Sequence, residues 1–387
     1  MTLLKLFNGT ILTPSGTIRN GTLMIRDGKI DEITDANIET DCPQLDVKGS
    51  YIAPGCIDIH THGGAGHDFY DATPEAFIAI AEAHARHGMT SLYPTIAVSP
   101  NETFYRVFDV FEQLKTVQHN GANLPGIHLE GNYLNPVYKG GQNPLYLALP
   151  DEAEYRDMLE HSPDIKRWSI SPELPGAIEM GRYISRRGVL PSIAHTNADH
   201  QTVVEAYKNG YTHATHLYSA MSTIHKEREY KYSGVVESVY LIEEMTAEVI
   251  ADGIHLPHTL LQFAYKFKGP EKVALITDAM ELALCPGMKV THDGRVIIED
   301  GVAKLADRSA IAGSIATSDR LIRTMIAAGI PLHDAIRMAA ETPATIMGIQ
   351  DRKGTLCKGM DADVIVFDKD INIQTTIIGG RIVHNLI

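Results

Sequence analysis

The sequence of 387 residues is poor in cysteine and has fewer basic than acidic residues. Its cysteines, Cys42, Cys56, Cys285 and Cys357, are far apart and form no Cys-x-x-Cys pair, so we expect neither a disulfide framework nor a zinc knuckle. This pattern favours a reduced, cytoplasmic location. The net charge of -14 argues against nucleic acid or an anionic membrane as a broad-surface partner, because both require a basic surface.

The N-terminal segment lacks a long apolar run. Polar and turn residues interrupt MTLLKLFNGTILTPSG within its first ten positions, so we expect neither a signal peptide nor a membrane-spanning helix. Hydrophobic residues make up 44% and charged residues 21% of the chain, as in soluble globular proteins. The length allows one large domain with a small companion.

The two ends of the sequence share a β-rich character. Residues 1–53 and residues 346–387 both alternate short apolar runs with glycine-containing turns. Because strand edges need partners, we predict one small β-sandwich domain built from both ends.

Between these ends, residues 54–345 alternate apolar strands with amphipathic helices. Eight strand-helix units predict an α/β fold of the (β/α)₈ TIM-barrel type. The predicted strands span residues 56–62, 90–96, 125–131, 167–173, 188–195, 211–216, 247–253 and 272–278. Two Asp-Gly turns within residues 287–306 predict a hairpin insertion after the eighth strand.

The stretch CIDIHTH places Asp58, His60 and His62 on alternate positions of the first predicted strand, hence on one face. Burying three such groups is costly unless a charged species, such as a metal ion, lies beside them. Asp58 lies deeper in the strand, where a supporting hydrogen bond or salt link is as good an interpretation as ligation. We therefore leave Asp58 out of the predicted ligand set.

Other predicted strands also end in side chains that bind metals, and catalytic groups of such barrels lie at the carboxyl ends of the strands. Five strand ends supply His60, His62, Glu130, His195, His216 and Asp278. One histidine at a strand end is more often structural, but five such ends together predict a divalent metal site. His255, after the seventh strand, lies where it can contact substrate. We interpret His84, His87 and His213 as structural and Glu173 as helix-capping.

Eight segments in this order resemble the N-acetylglucosamine-6-phosphate deacetylases of the amidohydrolase superfamily: PGCIDIHTHGG, GIHLEGNYLNP, KGGQNP, IAHTNA, ATHLYSAM, ADGIHLP, LITDAM and AGS. The resemblance covers nearly the whole chain. It implies metal-dependent hydrolysis of N-acetylglucosamine 6-phosphate to glucosamine 6-phosphate and acetate, in amino-sugar catabolism. It also implies one or two divalent ions, zinc or iron, and Asp278 as the catalytic acid/base. The implied ligands of the principal metal are Glu130, His195 and His216. Those of a second metal, which would share Glu130, are His60 and His62.

The resemblance further implies a phosphorylated amino sugar as substrate and a homodimer. His255 and the loop bearing Arg228 would recognise the sugar phosphate, with Arg228 reaching into the neighbouring subunit's site. Relatives commonly have LYNAM where this chain has Ser219, REPG where it has Arg228 and the next three residues, and in some cases His in place of Gln142. These departures lie near the expected phosphate end and leave the identity of the sugar undecided. Ala220 is also a predicted substrate contact.

Three alternatives stay open at this point. The first is a deacetylase of another N-acetylated amino sugar, such as N-acetylgalactosamine 6-phosphate. The second is a cyclic-amide hydrolase or deaminase on the same barrel, although Lys166 precedes the fourth predicted strand, at the wrong end to bridge two metals. The third is a binding or scaffold protein without activity, against which an intact Asp278 argues.

Overall fold

Eight parallel strands form the barrel in the computed structural model, which describes residues 2–387. They neighbour one another in chain order, each βα unit adding the next strand. The (β/α)₈ prediction is confirmed. The strands are Cys56–Thr61, Met89–Ala97, Ile127–Glu130, Ile165–Ile170, Leu190–Ile193, His213–Ala214, Thr246–Ile250 and Val273–Ile276.

The barrel closes between its first and last strands through side-chain as well as backbone contacts. The backbone N–H of Asp278 donates to His60 O at 3.0 Å. The buried Asp58 carboxylate accepts from the Thr277 backbone N–H at 3.2 Å and from the hydroxyls of Thr61 and Thr277. Asp58 therefore joins the two closing strands, which is the supporting role considered for it above.

Helices cover the outside of the barrel. In Pro74–Ala85, Thr73 caps the N-terminus by accepting from the Ala76 N–H, and proline at the first position suits the helical φ. The α-helices are Pro74–Ala85, Asn101–Leu114, Glu152–His161, Ala177–Ser185, His200–Lys208, Val235–Leu241, His258–Lys268, Ser318–Ala327, Leu332–Ala339 and Glu341–Ile346. Short 3₁₀ helices span Phe69–Asp71, Pro136–Tyr138 and Pro144–Tyr146.

Strands from both ends of the chain form a second sheet, so the prediction of a small β domain built from both termini is confirmed. The N-terminal strand Tyr51–Pro54 pairs antiparallel with the C-terminal strand Val364–Phe367. The other strands of this sheet are Leu3–Thr13, Gly16–Arg26, Lys29–Thr34, Gln44–Asp46, Ile373–Ile378 and Arg381–Asn385. Leu6, Ile11 and Val364 are among the fully buried residues of its core.

Three short antiparallel pairs lie outside both sheets. Val296–Glu299 and Val302–Leu305 form a hairpin with Asp300 and Gly301 at its turn, as the Asp-Gly sequence predicts. His225–Glu227 and Tyr230–Tyr232 form a second hairpin with Arg228 at its tip. The third pair joins Gly63–Gly64 to His67–Asp68. Within residues 2–387, helices long and apolar enough to span a bilayer are absent.

Candidate metal centre

Two groups of metal-binding side chains meet at the carboxyl ends of the barrel strands. In the first, which we call the His195 side, Glu130 Oε1 lies 3.2 Å from His195 Nε2 and 3.0 Å from His216 Nε2. In the second, the His60 side, Glu130 Oε2 lies 3.2 Å from His62 Nε2, and Oε1 lies 3.5 Å from His60 Nε2. All five residues are buried. Glu130 therefore belongs to both sides and can bridge two ions.

The ring nitrogens at this centre are arranged to receive a cation. His60 Nε2 is buried and has no hydrogen-bond partner. His195 directs Nδ1 to Tyr138 O at 2.8 Å, which leaves a lone pair on Nε2, only 3.1 Å from His216 Nε2. Two ring nitrogens at that distance are held together by a proton or a metal ion between them. Imidazole and carboxylate ligands in this number fit a divalent metal of the zinc or iron type.

Asp278 lies beside the His60 side. Its Oδ1 is 3.2 Å from His62 Nε2 and 3.5 Å from His60 Nε2. Burial raises the pKa of Asp278, but the positive charge of His60 and the hydrogen bond with His62 more than reverse this, so the pKa falls below its usual range. Asp278 is therefore ionised at neutral pH and can accept a proton.

Charge around the His60 side is balanced by protons on its histidines when no metal is bound. Burial lowers the pKa of His60, but the carboxylates of Glu130 and Glu248 outweigh burial and raise it to about 9. The pKa of His62 also lies well above its usual value, since hydrogen bonds to Asp278 and Glu130 outweigh burial. A divalent ion supplies the same positive charge and displaces these protons.

Three of the converging residues adopt a left-handed backbone conformation. The φ angles are +45° at His195, +29° at His216 and +48° at Asp278. Such angles are uncommon for residues other than glycine and persist where surrounding contacts fix them. Here the Ser314 N–H donates to Asp278 O at 2.7 Å, and Asn135 N–H donates to His195 O at 3.1 Å.

A cavity of about 810 Å³ opens above the centre. Of the predicted substrate contacts, His255, Ser219, Ala220 and Gln142 line it. Arg228 is exposed at its hairpin tip and, within residues 2–387, does not belong to the cavity lining of its own chain. The structure thus brings four of these five residues to one cavity and leaves the fifth on the surface.

Known proteins are similar to this sequence over nearly its whole length. The profile of the Amidohydrolase family matches residues 176–383. The N-acetylglucosamine-6-phosphate deacetylase of Lysinibacillus sphaericus is 30% identical over 378 residues, which cover 97% of this chain and 96% of that protein. The enzyme of the same name from Danio rerio is 32% identical over 377 residues, covering 93% and 91%. The chain belongs to the N-acetylglucosamine-6-phosphate deacetylases of the amidohydrolase family.

Solved structures of deacetylases share both the barrel and the terminal sheet. A mutant N-acetyl-D-glucosamine-6-phosphate deacetylase from Mycobacterium smegmatis, in complex with N-acetyl-D-glucosamine-6-phosphate, superimposes with a TM-score of 0.90 at 27% identity, covering 99% of each chain. The N-acetylglucosamine-6-phosphate deacetylase from Pasteurella multocida gives a TM-score of 0.92 at 25% identity, covering 98% of this chain and 99% of that one.

Gln142 and Glu173 have partners that the sequence did not indicate. The Nε2 of Gln142 donates to Glu130 Oε2 at 2.7 Å, and its Oε1 accepts from the Val98 N–H. The interpretation of Glu173 as a helix cap is wrong. Its carboxylate accepts from Asn135 Nδ2 at 2.8 Å and Asn197 N–H at 2.7 Å, so it ties two active-site loops together instead.

The three histidines interpreted as structural all have partners in the scaffold. His84 Nε2 lies 3.0 Å from Gly63 O, and burial lowers its pKa to about 4, so the ring is neutral and donates to the carbonyl. His87 Nδ1 lies 3.2 Å from Asp319 Oδ1. His213 Nδ1 lies 2.8 Å from the Thr246 hydroxyl.

Sequence reasoning missed three charged residues that support the site. Asp252 Oδ2 lies 2.9 Å from His255 Nδ1, which orients that ring. Glu248 Oε1 lies 2.6 Å from His60 Nδ1, and Arg167 forms an ion pair with Glu248. Charged residues within the apolar barrel strands RWSI and AEVI were the available signal, because such groups are buried only with partners.

Proposed function

We propose that the protein hydrolyses the N-acetyl group of N-acetylglucosamine 6-phosphate, giving glucosamine 6-phosphate and acetate, in amino-sugar catabolism. The observation that carries this proposal is the position of the Asp278 carboxylate, whose Oδ1 lies 3.2 Å from His62 Nε2, beside two His/Glu groups at the cavity. The names of relatives that match nearly the whole chain support it.

We assign the ligands of the metal as follows. The His195 side would hold the principal ion, and the His60 side would hold a second ion with Glu130 as a common ligand. Zinc is the proposed metal, with iron as the alternative, because both accept imidazole and carboxylate together. When bound, a divalent ion here lowers the pKa of water and polarises the amide carbonyl.

Asp278 moves the proton in the proposed reaction. Its carboxylate accepts a proton from the attacking water as the new bond to the acetyl carbon forms. It then donates that proton to the sugar nitrogen as the amide C–N bond breaks, so the amine leaves neutral. The Oδ1 of Asp278, 3.2 Å from His62 Nε2, places the carboxylate beside the proposed metal ligands for the first transfer.

The cavity walls supply the sugar contacts. His255, oriented through Nδ1 by Asp252, is proposed to bind the acetamide or a neighbouring hydroxyl. Ser219 and Ala220, which also line the cavity, are proposed to contact the sugar, and Gln142 to act where the cavity meets Glu130.

Arg228 is proposed to bind the phosphate in the neighbouring subunit of a homodimer. Its exposed position on a hairpin suits contact with another chain, and Ile224, Tyr230 and Tyr232 nearby expose 61%, 62% and 44% of their surface. A guanidinium can bind phosphate through two parallel hydrogen bonds. We also propose a cytoplasmic location, in keeping with the four free cysteines.

Acetate release tests the proposed reaction. We expect turnover of N-acetylglucosamine 6-phosphate to exceed that of its galactosamine epimer and of the two free sugars. A preference for the epimer would reassign the substrate, and the absence of acetate release from all four by metal-loaded protein would contradict deacetylation. The cyclic-amide alternative is weakened because Lys166 Nζ donates to Pro163 O on the protein surface and does not line the cavity.

A further inference from the structure

A buried ion pair lies inside the barrel, below the metal centre. Arg167 on the fourth barrel strand and Glu248 on the seventh have fully buried side chains, and Nη1 of Arg167 lies 2.5 Å from Oε2 of Glu248. Arg167 also donates to Ile59 O at 3.0 Å and to the hydroxyls of Ser192 and Thr215. Burying two charges is costly, and a pair of apolar residues often serves stability as well. We therefore infer that this ion pair has a role other than stability.

The second oxygen of Glu248 points to such a role. Oε1 accepts from His60 Nδ1 at 2.6 Å and from the backbone N–H of His216 at 3.1 Å. One carboxylate thus touches a histidine from each side of the metal centre.

We propose that Glu248 and Arg167 form a positioning pair that fixes His60 for metal binding. This inference rests on the proposed metal centre and deepens it. A carboxylate without a proton only accepts hydrogen bonds, so Glu248 keeps a proton on Nδ1 of His60, and a metal ion that displaces the other ring proton finds the lone pair on Nε2. Arg167 holds Oε2 and so directs Oε1 at His60.

The variant Glu248→Gln tests the pair, because an amide has one accepting and one donating end. In one orientation, the amide NH₂ of the glutamine faces the Arg167 guanidinium, so two hydrogen-bond donors oppose each other and their contact is lost. In the other, it faces His60 Nδ1 and forces the ring proton to Nε2, which cannot then bind metal. Either orientation disturbs His60, while His195 keeps its separate contact with Tyr138 O.

The measurement is a calorimetric titration of metal-free protein with Zn²⁺ alone. We expect the wild-type chain to bind two ions. In Glu248→Gln, we expect the ion on the His60 side to bind about 10- to 100-fold more weakly. The ion on the His195 side should change less, and kcat should fall with little change in KM.

His87→Gln is the matched control. His87 Nδ1 lies 3.2 Å from Asp319 Oδ1, a contact that involves none of Glu248, Arg167 and His60. We expect this variant to bind two ions with wild-type affinities. If its His60 side loses zinc as Glu248→Gln does, the effect is general damage to the barrel and the positioning role is wrong.

Glu248→Asp is the alternative test variant if Glu248→Gln does not fold. It keeps the negative charge opposite Arg167 but withdraws the carboxylate from His60 by one methylene, so weaker zinc binding on the His60 side is again expected. Wild-type affinities in whichever variant folds would overturn the positioning role and leave the metal centre intact. A wild-type chain that binds fewer than two ions would instead overturn the proposed two-ion centre, and this inference with it.

Discussion

The two sides of the metal centre hold their histidines by different means. On the His195 side, Nδ1 of His195 meets a neutral backbone carbonyl, Tyr138 O, at 2.8 Å. On the His60 side, Nδ1 of His60 meets the buried carboxylate of Glu248 at 2.6 Å. The ring orientation on the His195 side therefore depends mainly on the path of the backbone, and that on the His60 side depends on buried charge.

This difference gives the two sides different electrostatic requirements. Glu130, Glu248 and Asp278 all act on His60 and raise its pKa to about 9, although burial acts against them. The His60 side therefore needs a positive charge whether or not metal is present. On the His195 side, the left-handed angles at His195 and His216 set the geometry instead. We expect backbone changes to damage the His195 side most and charge changes to damage the His60 side most.

The largest effect is expected for His216→Ala, which removes one of three proposed protein ligands of the principal ion. Metal on the His195 side and activity should be lost together, with turnover falling by at least about 10³-fold. Metal content and acetate release measure both. His87→Gln, a change at a histidine whose contact is with Asp319, should retain both. Full metal content in His216→Ala would contradict the ligand assignment.

Asp278→Asn is expected to have the second largest effect on turnover. The amide keeps the shape and most hydrogen bonds but cannot carry the proton, so turnover should fall by roughly 10² to 10⁴ while both ions and the substrate still bind. Single-turnover kinetics and metal analysis make this measurement. Near-normal turnover would move the acid/base role to another group.

His60→Ala should have a smaller effect, if the second ion assists the first. We expect loss of one ion and a fall in turnover of roughly tenfold, because removing a proposed ligand leaves the principal ion in place. Zinc titration and steady-state kinetics test this. An inactive variant with a fully occupied His195 side would show that the His60 side carries the chemistry.

Arg228→Ala should leave both sides of the metal centre unchanged. We expect KM for the phosphorylated sugar to rise about tenfold, a loss of roughly 1.4 kcal/mol, since one charge-assisted contact with phosphate is removed. Any activity on the free sugar should stay the same. Lys226→Ala, on the same exposed hairpin, is the control.

The shared site can be tested separately. Mixed dimers of Arg228→Ala and Asp278→Asn subunits would combine one intact arginine with one intact aspartate in one of two sites. Recovered activity is the expected result. If mixed dimers form without recovered activity, Arg228 does not act across the interface.

The barrel could be predicted because its signals are local. Apolar strand patterns between turns located all eight strands within a few residues, although the sixth, His213–Ala214, is much shorter than its pattern. The strand ends then brought Glu130, His195, His216 and Asp278 together, since parallel strands of a barrel open at one rim.

The supporting contacts could not be predicted, because they join residues across the barrel. The fourth and seventh strands are not neighbours, so nothing in the local sequence pairs Arg167 with Glu248. The contact between Gln142 and Glu130 likewise depends on how a loop folds back over a strand end. Loop paths of this kind are set by tertiary packing, which short-range patterns do not encode.

The pairing of Tyr51–Pro54 with Val364–Phe367 has a consequence for synthesis of the chain. The first of these strands leaves the ribosome more than three hundred residues before its partner. Throughout that interval its outer edge is unsatisfied and open to other extended segments. The terminal sheet can be completed only after all eight barrel strands have been synthesised.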